Sequence, residues 1–175
     1  DRKIYSYSYE IKSREKGKNI SSFNSSDVIY LLMPDRFANG NQSNDSHPDL
    51  TEEVNRIEQD GRHGGDIEGI IKNLDYLQEL GITTIWSTPL CEDNDPKVSY
   101  HTYAQSDVYR IDPRFGTNND YKRLAQNLHQ RGMKIIMDYV TNHWGIEHWM
   151  IKDLPNNDWI HKFDKYVNTN HRKEI

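Results

Sequence analysis

Cys91 is the only cysteine in 175 residues, so no disulfide can form within the chain. No apolar run approaches the roughly 18 residues that would mark a bilayer-spanning helix. The opening "DRKIYSYSYE" lacks the apolar stretch of a secretion signal. It also lacks an initiating Met, which makes the chain read as beginning inside a longer one. Basic charge is scarce: 22 Lys and Arg face 27 Asp and Glu, for a net charge of −5. The stretch richest in Lys and Arg, "KSREKGK" at 12–18, is short and carries Glu15. Phosphate binding needs a clustered positive surface, so the sequence argues against nucleic acid as a partner. Repeats and low-complexity segments are absent as well. A single free cysteine fits a periplasmic or a cytoplasmic setting equally.

What is present is aromatic and polar. Eleven Tyr and four Trp bring the aromatic content to 11%, too high for a disordered chain. Tyr and Trp also suit carbohydrate surfaces, although composition alone does not establish one. The Asn-x-Ser sequons at Asn19, Asn24, Asn41 and Asn44 matter only in a host that glycosylates secreted proteins.

Residues 1–26 are polar and read as a linker or the end of a preceding domain. Val28–Met33 is a near-continuous apolar run stopped by Pro34, the pattern of a strand buried on both faces. "DIEGIIKNLDYLQELG" follows with Ile67, Ile70, Ile71, Leu74, Leu77 and Leu80 on one helical face. Asp66 is its N-cap and Gly81 its C′ residue. "ITTIWSTP" is a second strand. "TNNDYKRLAQNLHQRG" is a second helix, with Thr117 and Asp120 spaced as a capping box and Gly132 at its end. "KIIMDYV" is a third strand, with Asp138 inside it. Right-handed crossovers make the three strands parallel neighbours. Both strand-to-helix loops are long, and in α/β proteins such loops carry the chemistry. Attention therefore falls on residues 34–65, 88–118 and 142 onward.

Three groups stand out on that face. Asp138, Asn142 and His143 cluster at the third strand's end, as a polar site or as a buried Asp tying down loop backbone beside a capping Asn. "SYHTY" puts Tyr100, His101 and Tyr103 in the second loop, either as site residues or as aromatics packed on a rim. "PDRFANGNQSND" carries Asp35, Asn39, Asn41, Asn44 and Asp45, which suits a hard cation or a loop rich in local hydrogen bonds. It is not an EF-hand, because counting from Asn39 puts Asn44 where Gly is needed and Leu50 where Glu is needed. His143 and His148 are badly spaced for zinc.

Taken together, "DVIYLLMPDRFANGN", "HGGDIEGIIKNLDYLQELGITTIWSTP" and "SYHTYAQSDVYRIDPRFGTNNDYKRLAQNLHQRGMKIIMDYVTNH" resemble the α-amylase superfamily, glycoside hydrolase family 13, and within it neopullulanases and cyclomaltodextrinases. "DYVTNH" fits the family's Asp-x-x-x-Asn-His region. The resemblance implies an α/β fold, part of a (β/α)8 barrel. Residues 27–143 would be its first three strands and two helices, and 144–175 the truncated start of the domain inserted after strand three. It implies a retaining hydrolase of α-1,4 and also α-1,6 bonds in cyclodextrin, pullulan or maltooligosaccharides. An α-glucan oligosaccharide would be the partner, and the full-length protein could form a homodimer through a preceding β-sandwich.

By the same resemblance Tyr103 would stack under the sugar at the cleavage point, His101 and His143 would donate to its hydroxyls, and Asp138 would order the site. Calcium would be held by Asn39, Asn41, Asn44, Asp45, the Gly64 carbonyl and Asp66, with Asn142 a ligand of a second ion. Thr102 departs from the pattern, because many members have Gly there. The family's nucleophile and acid/base have no matching Asp or Glu in this chain and are expected beyond Ile175, so the isolated chain is expected to be inactive. A non-catalytic sugar-binding or transporter-associated relative and a calcium-stabilised structural fragment are the alternatives.

Overall fold

The computed structural model describes residues 22–160, together with 8–11, 13 and 163–165. Most of the 1–26 segment and the end of the 144–175 segment lie outside the described residues.

Three strands form one parallel sheet in the order β1 (Ile29–Leu32), β2 (Thr84–Ser87) and the strand Lys134–Met137. Each sequence-expected strand is present but shorter than its apolar run. The register aligns Leu31 with Trp86 and Trp86 with Ile136, so these three share a face. Tyr30, Leu32, Ile85 and Ile135 share the opposite face and pack on the helices. At the sheet's N-terminal end, Lys134 Nζ donates to Asp27 and holds its carboxyl at about 2.

The helix expected over 66–81 divides into α2 (Ile67–Lys72) and α3 (Leu74–Glu79). Asn73 causes the break. Its φ of −109° and ψ of 13° leave the helical region, its N–H reaches back to Ile70 O, and its side-chain amide donates to Gly69 O at 2.7 Å. An Asn side chain competes for helix carbonyls in this way. The apolar face survives the break: Ile67, Ile70, Leu74 and Leu77 are wholly buried, whereas Leu80 is exposed. Gly81 at φ +85° closes α3, with Ile82 N–H donating to Leu77 O.

The second loop contains a hairpin that the sequence did not declare. β3 (Cys91–Glu92) pairs antiparallel with β4 (Asp107–Ile111) across a register shift. Two residues are too few to show a period, so β3 leaves no signal. α4 (Asn118–Gln130) begins with the expected Thr117–Asp120 capping box and ends at Gly132. The Lys134–Met137 strand, β5, ends before Asp138, so this residue lies past the strand rather than inside it and is partly exposed. α5 (Trp149–Lys152) follows, its first turn accepted by His148 Nδ1.

Burial on both faces of β1 does not hold. Ile29 is 45% and Leu31 59% exposed, and Trp86 beside them is 39% exposed. The described helices cover one face of the sheet, and these residues point from the other. Among the described residues no helix is long and apolar enough to cross a membrane.

Candidate functional site

The "SYHTY" loop is held by buried charge. Glu52 accepts from Val98 N and Ser99 N, at 3.1 and 2.7 Å. Arg62, fully buried, donates to Ser99 O at 3.0 Å. Beneath it, Asp112 is bonded by Arg114 Nη2 at 2.7 Å. Burial alone would raise the Asp112 carboxyl, but the hydrogen bonds from Arg114 and the charges of Arg62 and Arg114 bring it below its ordinary value. Thr102 adopts φ +58°, a left-handed conformation in which Gly costs least. Its hydroxyl donates to Pro89 O, which ties the strained turn to the end of β2.

This scaffold brings all four sequence-derived residues to one edge. The Tyr103 hydroxyl donates to Asp138 Oδ2 at 3.0 Å. Burial, that hydrogen bond and the Asp138 charge raise the Tyr103 pKa, so the phenol stays protonated. His101 Nδ1 accepts from Tyr103 N at 3.2 Å, which leaves its proton on Nε2. Burial lowers the His101 pKa against the opposing charges of Asp95 and Glu52, so the ring is neutral near pH 7. His143 Nε2 lies 3.2 Å from Tyr103 O, and its Nδ1 lies 3.3 Å from Asn142 Nδ2. Both nitrogens of His143 are thus engaged, and the ring braces the Tyr103 backbone. Gly145 makes the approach close: its N–H donates to Gln105 O, and a Cβ there would sit 2.2 Å from Ala104 O.

Trp86 joins this edge, and sequence reasoning missed it. Its indole Nε1 donates to Asp138 Oδ2 at 3.2 Å. The available signal was the alternation in "TIWS", which sets Trp86 on the face opposite Ile85.

The Asn-rich loop is also assembled. After β1, the short helix α1 (Pro34–Phe37) carries Asp35, whose carboxylate accepts from His63 N and Gly64 N and stitches the loop to residues 63–66. Asp66 caps α2 through Gly69 N at 2.6 Å and also accepts from Gly40 N and Asn41 N. Asn39 Nδ2 donates to Asp45 Oδ1 at 2.6 Å, and Arg56 donates to Asp45 Oδ2 at 3.0 Å. Gly64, at φ +82°, packs so closely that a Cβ would lie 2.8 Å from Asp45. Asn41 Oδ1 accepts from Ser43, and the Asn44 amide faces Asp66 Oδ2. Asn39 Oδ1 is buried with no partner among the described residues. The donor set, amide and carboxylate oxygens beside a backbone carbonyl, has the chemistry of a hard-cation site. Asn142 bonds to His143, away from that set.

A model of the alpha amylase catalytic domain matches residues 31–174. Neopullulanase 2 of Thermoactinomyces vulgaris is 42% identical over 130 residues, covering 73% of this chain and 21% of that protein. The crystal structure of an Anoxybacillus α-amylase superposes with a TM-score of 0.73 at 40% identity, covering 85% of this chain and 31% of that one. The α-amylase of Geobacillus thermoleovorans, solved in complex with acarbose, gives 0.65 at 36% identity, covering 85% and 30%. The chain therefore spans between a fifth and a third of these relatives. Its match to the catalytic-domain model and its parallel β-strand and helix order agree: the chain belongs to the α-amylase family.

Proposed function

We propose that this chain supplies part of the catalytic barrel of an α-glucan-acting glycoside hydrolase of the retaining kind. Its substrates would be cyclodextrins, pullulan or maltooligosaccharides, cut at α-1,4 and also α-1,6 bonds. The observation that carries the reading is the meeting of His101, Tyr103, Asp138 and His143 at one sheet edge, with the Tyr103 hydroxyl on Asp138. Similarity to neopullulanase 2 supports the same substrate class.

In this reading Tyr103, 38% exposed, offers its ring face to the sugar at the scissile bond. The free His101 Nε2–H donates to a sugar hydroxyl. His143 keeps Tyr103 in place through the Tyr103 carbonyl. Asp138 accepts from Tyr103 and orders the edge. Calcium fits the Asn-rich loop, with Asn39, Asn41, Asn44, Asp45, Asp66 and the Gly64 carbonyl as its donors. It would lock the first strand-to-helix loop against α2. Asn142 as a ligand of a second ion has no comparable donor set around it among the described residues.

The test is a titration of the chain with maltoheptaose, followed by calorimetry. Saturable binding that Tyr103→Ala abolishes, with the melting temperature retained, is the expected result. A folded wild-type chain that does not bind maltoheptaose would overturn the reading.

A further inference from the structure

Asp138 receives two donors on one oxygen. The Tyr103 hydroxyl reaches Oδ2 at 3.0 Å and the Trp86 indole N–H reaches it at 3.2 Å. Oδ1 has no hydrogen-bond partner among the described residues. The strand register explains how Trp86 comes to be there. Trp86 pairs with Ile136 of β5, and Asp138 lies two residues further along, so an extended chain returns it to the same face. The indole is long enough to span that diagonal. Its N–H is a donor only and has no alternative role as acceptor.

We propose that Trp86 is a positioning residue of the sugar site: its indole N–H fixes the Asp138 carboxylate, whose Oδ2 it shares with Tyr103, and so holds the Tyr103 ring in place. Hydrogen bonds to an ionised carboxylate are the strong ones, and two on one oxygen restrict its rotation. Tyr103 comes from the β3–β4 loop and Trp86 from β2, so the carboxylate is clamped from two elements. The inference rests on the sugar-site reading above.

The experiment combines maltoheptaose titration of the chain with a double-mutant cycle, W86F, D138N and W86F/D138N. Phe keeps the ring and removes only the donor. W86F and D138N are each expected to weaken binding by about tenfold, the scale of one charge-assisted hydrogen bond. The double variant is expected to bind no more weakly than D138N, because Trp86 acts through Asp138. Losses that multiply, or a W86F chain that binds like wild type, overturn the assignment of Trp86 and leave the sugar site standing. A wild-type chain that fails to bind overturns the sugar reading and this inference with it. A second measurement does not depend on W86F folding. In a ligand-free 1H–15N spectrum the Trp86 indole signal is expected to move in D138N, and an unmoved signal overturns the proposal.

Discussion

Asp93 lies just past β3, wholly buried, in a carboxylate environment that opposes its own charge. Burial raises its pKa from 3.8 to about 7, helped by the charges of Asp95 and Asp112 and opposed by the N–H groups of Asp95 and Ala104. The folded carboxyl binds its proton more tightly than the unfolded one. The resulting penalty is absent below pH 3.8, grows as pH rises and is complete above pH 7. A shift of that size corresponds to about 4 kcal/mol at pH 8, at roughly 1.4 kcal/mol per unit. At pH 5 less than half of it, about 2 kcal/mol, has developed. Asp93→Asn removes the penalty. It keeps one acceptor, for Asp95 N at 3.0 Å, and loses the bond from Ala104 N at 3.2 Å, because the new amide nitrogen is itself a donor. That loss costs about 1–2 kcal/mol. Asp93→Asn is therefore expected to stabilise the chain by about 2 kcal/mol at pH 8 and to change it little at pH 5. Urea unfolding at the two pH values reads this directly. An equal loss of stability at both would refute the reasoning, since it would show an ionised native Asp93 whose N–H partners outweigh its burial.

Two further outcomes follow from the same contacts. Gly145→Ala places a methyl 2.2 Å from Ala104 O, and the backbone must move. A loss of about 1–3 kcal/mol is expected, together with weaker maltoheptaose binding as His143 withdraws from Tyr103, whereas unchanged melting and binding would show that the 142–145 turn is not anchored there. Calcium in hundredfold excess over its Kd would stabilise the chain by about 2.7 kcal/mol. A melting temperature that rises with calcium in wild type and not in Asp45→Asn is expected, and one that is equal in calcium and in EGTA would remove the ion from the account.

The helix ends were legible because each is a local decision. Asp66, Gly81, Thr117, Asp120 and Gly132 act within one turn of themselves, and all five cap as their residue types require. The parallel order of the strands was legible for a related reason, since crossover handedness leaves few alternatives. The errors fell where a local pattern met a non-local constraint. Asn73 sits at a position where the helical face continues, and the break depends on a side chain that finds Gly69 O. The apolar run of β1 implied two covered faces, but covering the second face depends on elements other than β1.

The site shows the same division at finer scale. His101 and Tyr103 are neighbours in sequence, and their mutual geometry is set by a backbone N–H only two residues from the accepting ring. The contacts that turn them into a site are longer. Tyr103 meets Asp138 across 35 residues, Trp86 meets the same oxygen across 52, and His143 meets the Tyr103 carbonyl across 40. A motif can name residues at each end of such a contact and still omit the group that fixes their orientation. Trp86 was omitted for that reason: in "ITTIWSTP" it reads as one more apolar strand residue, and only the register with Ile136 turns its N–H toward a carboxylate. Thr102 shows the converse. Its departure from Gly is expected to leave the His101 and Tyr103 positions usable, and in the fold Thr102 takes a left-handed conformation with its hydroxyl on Pro89 O. Orientation at this edge is therefore a property of the β2–β5 register and the strained 98–102 turn together, and a substitution at either is expected to reach the proposed sugar-binding residues without touching them.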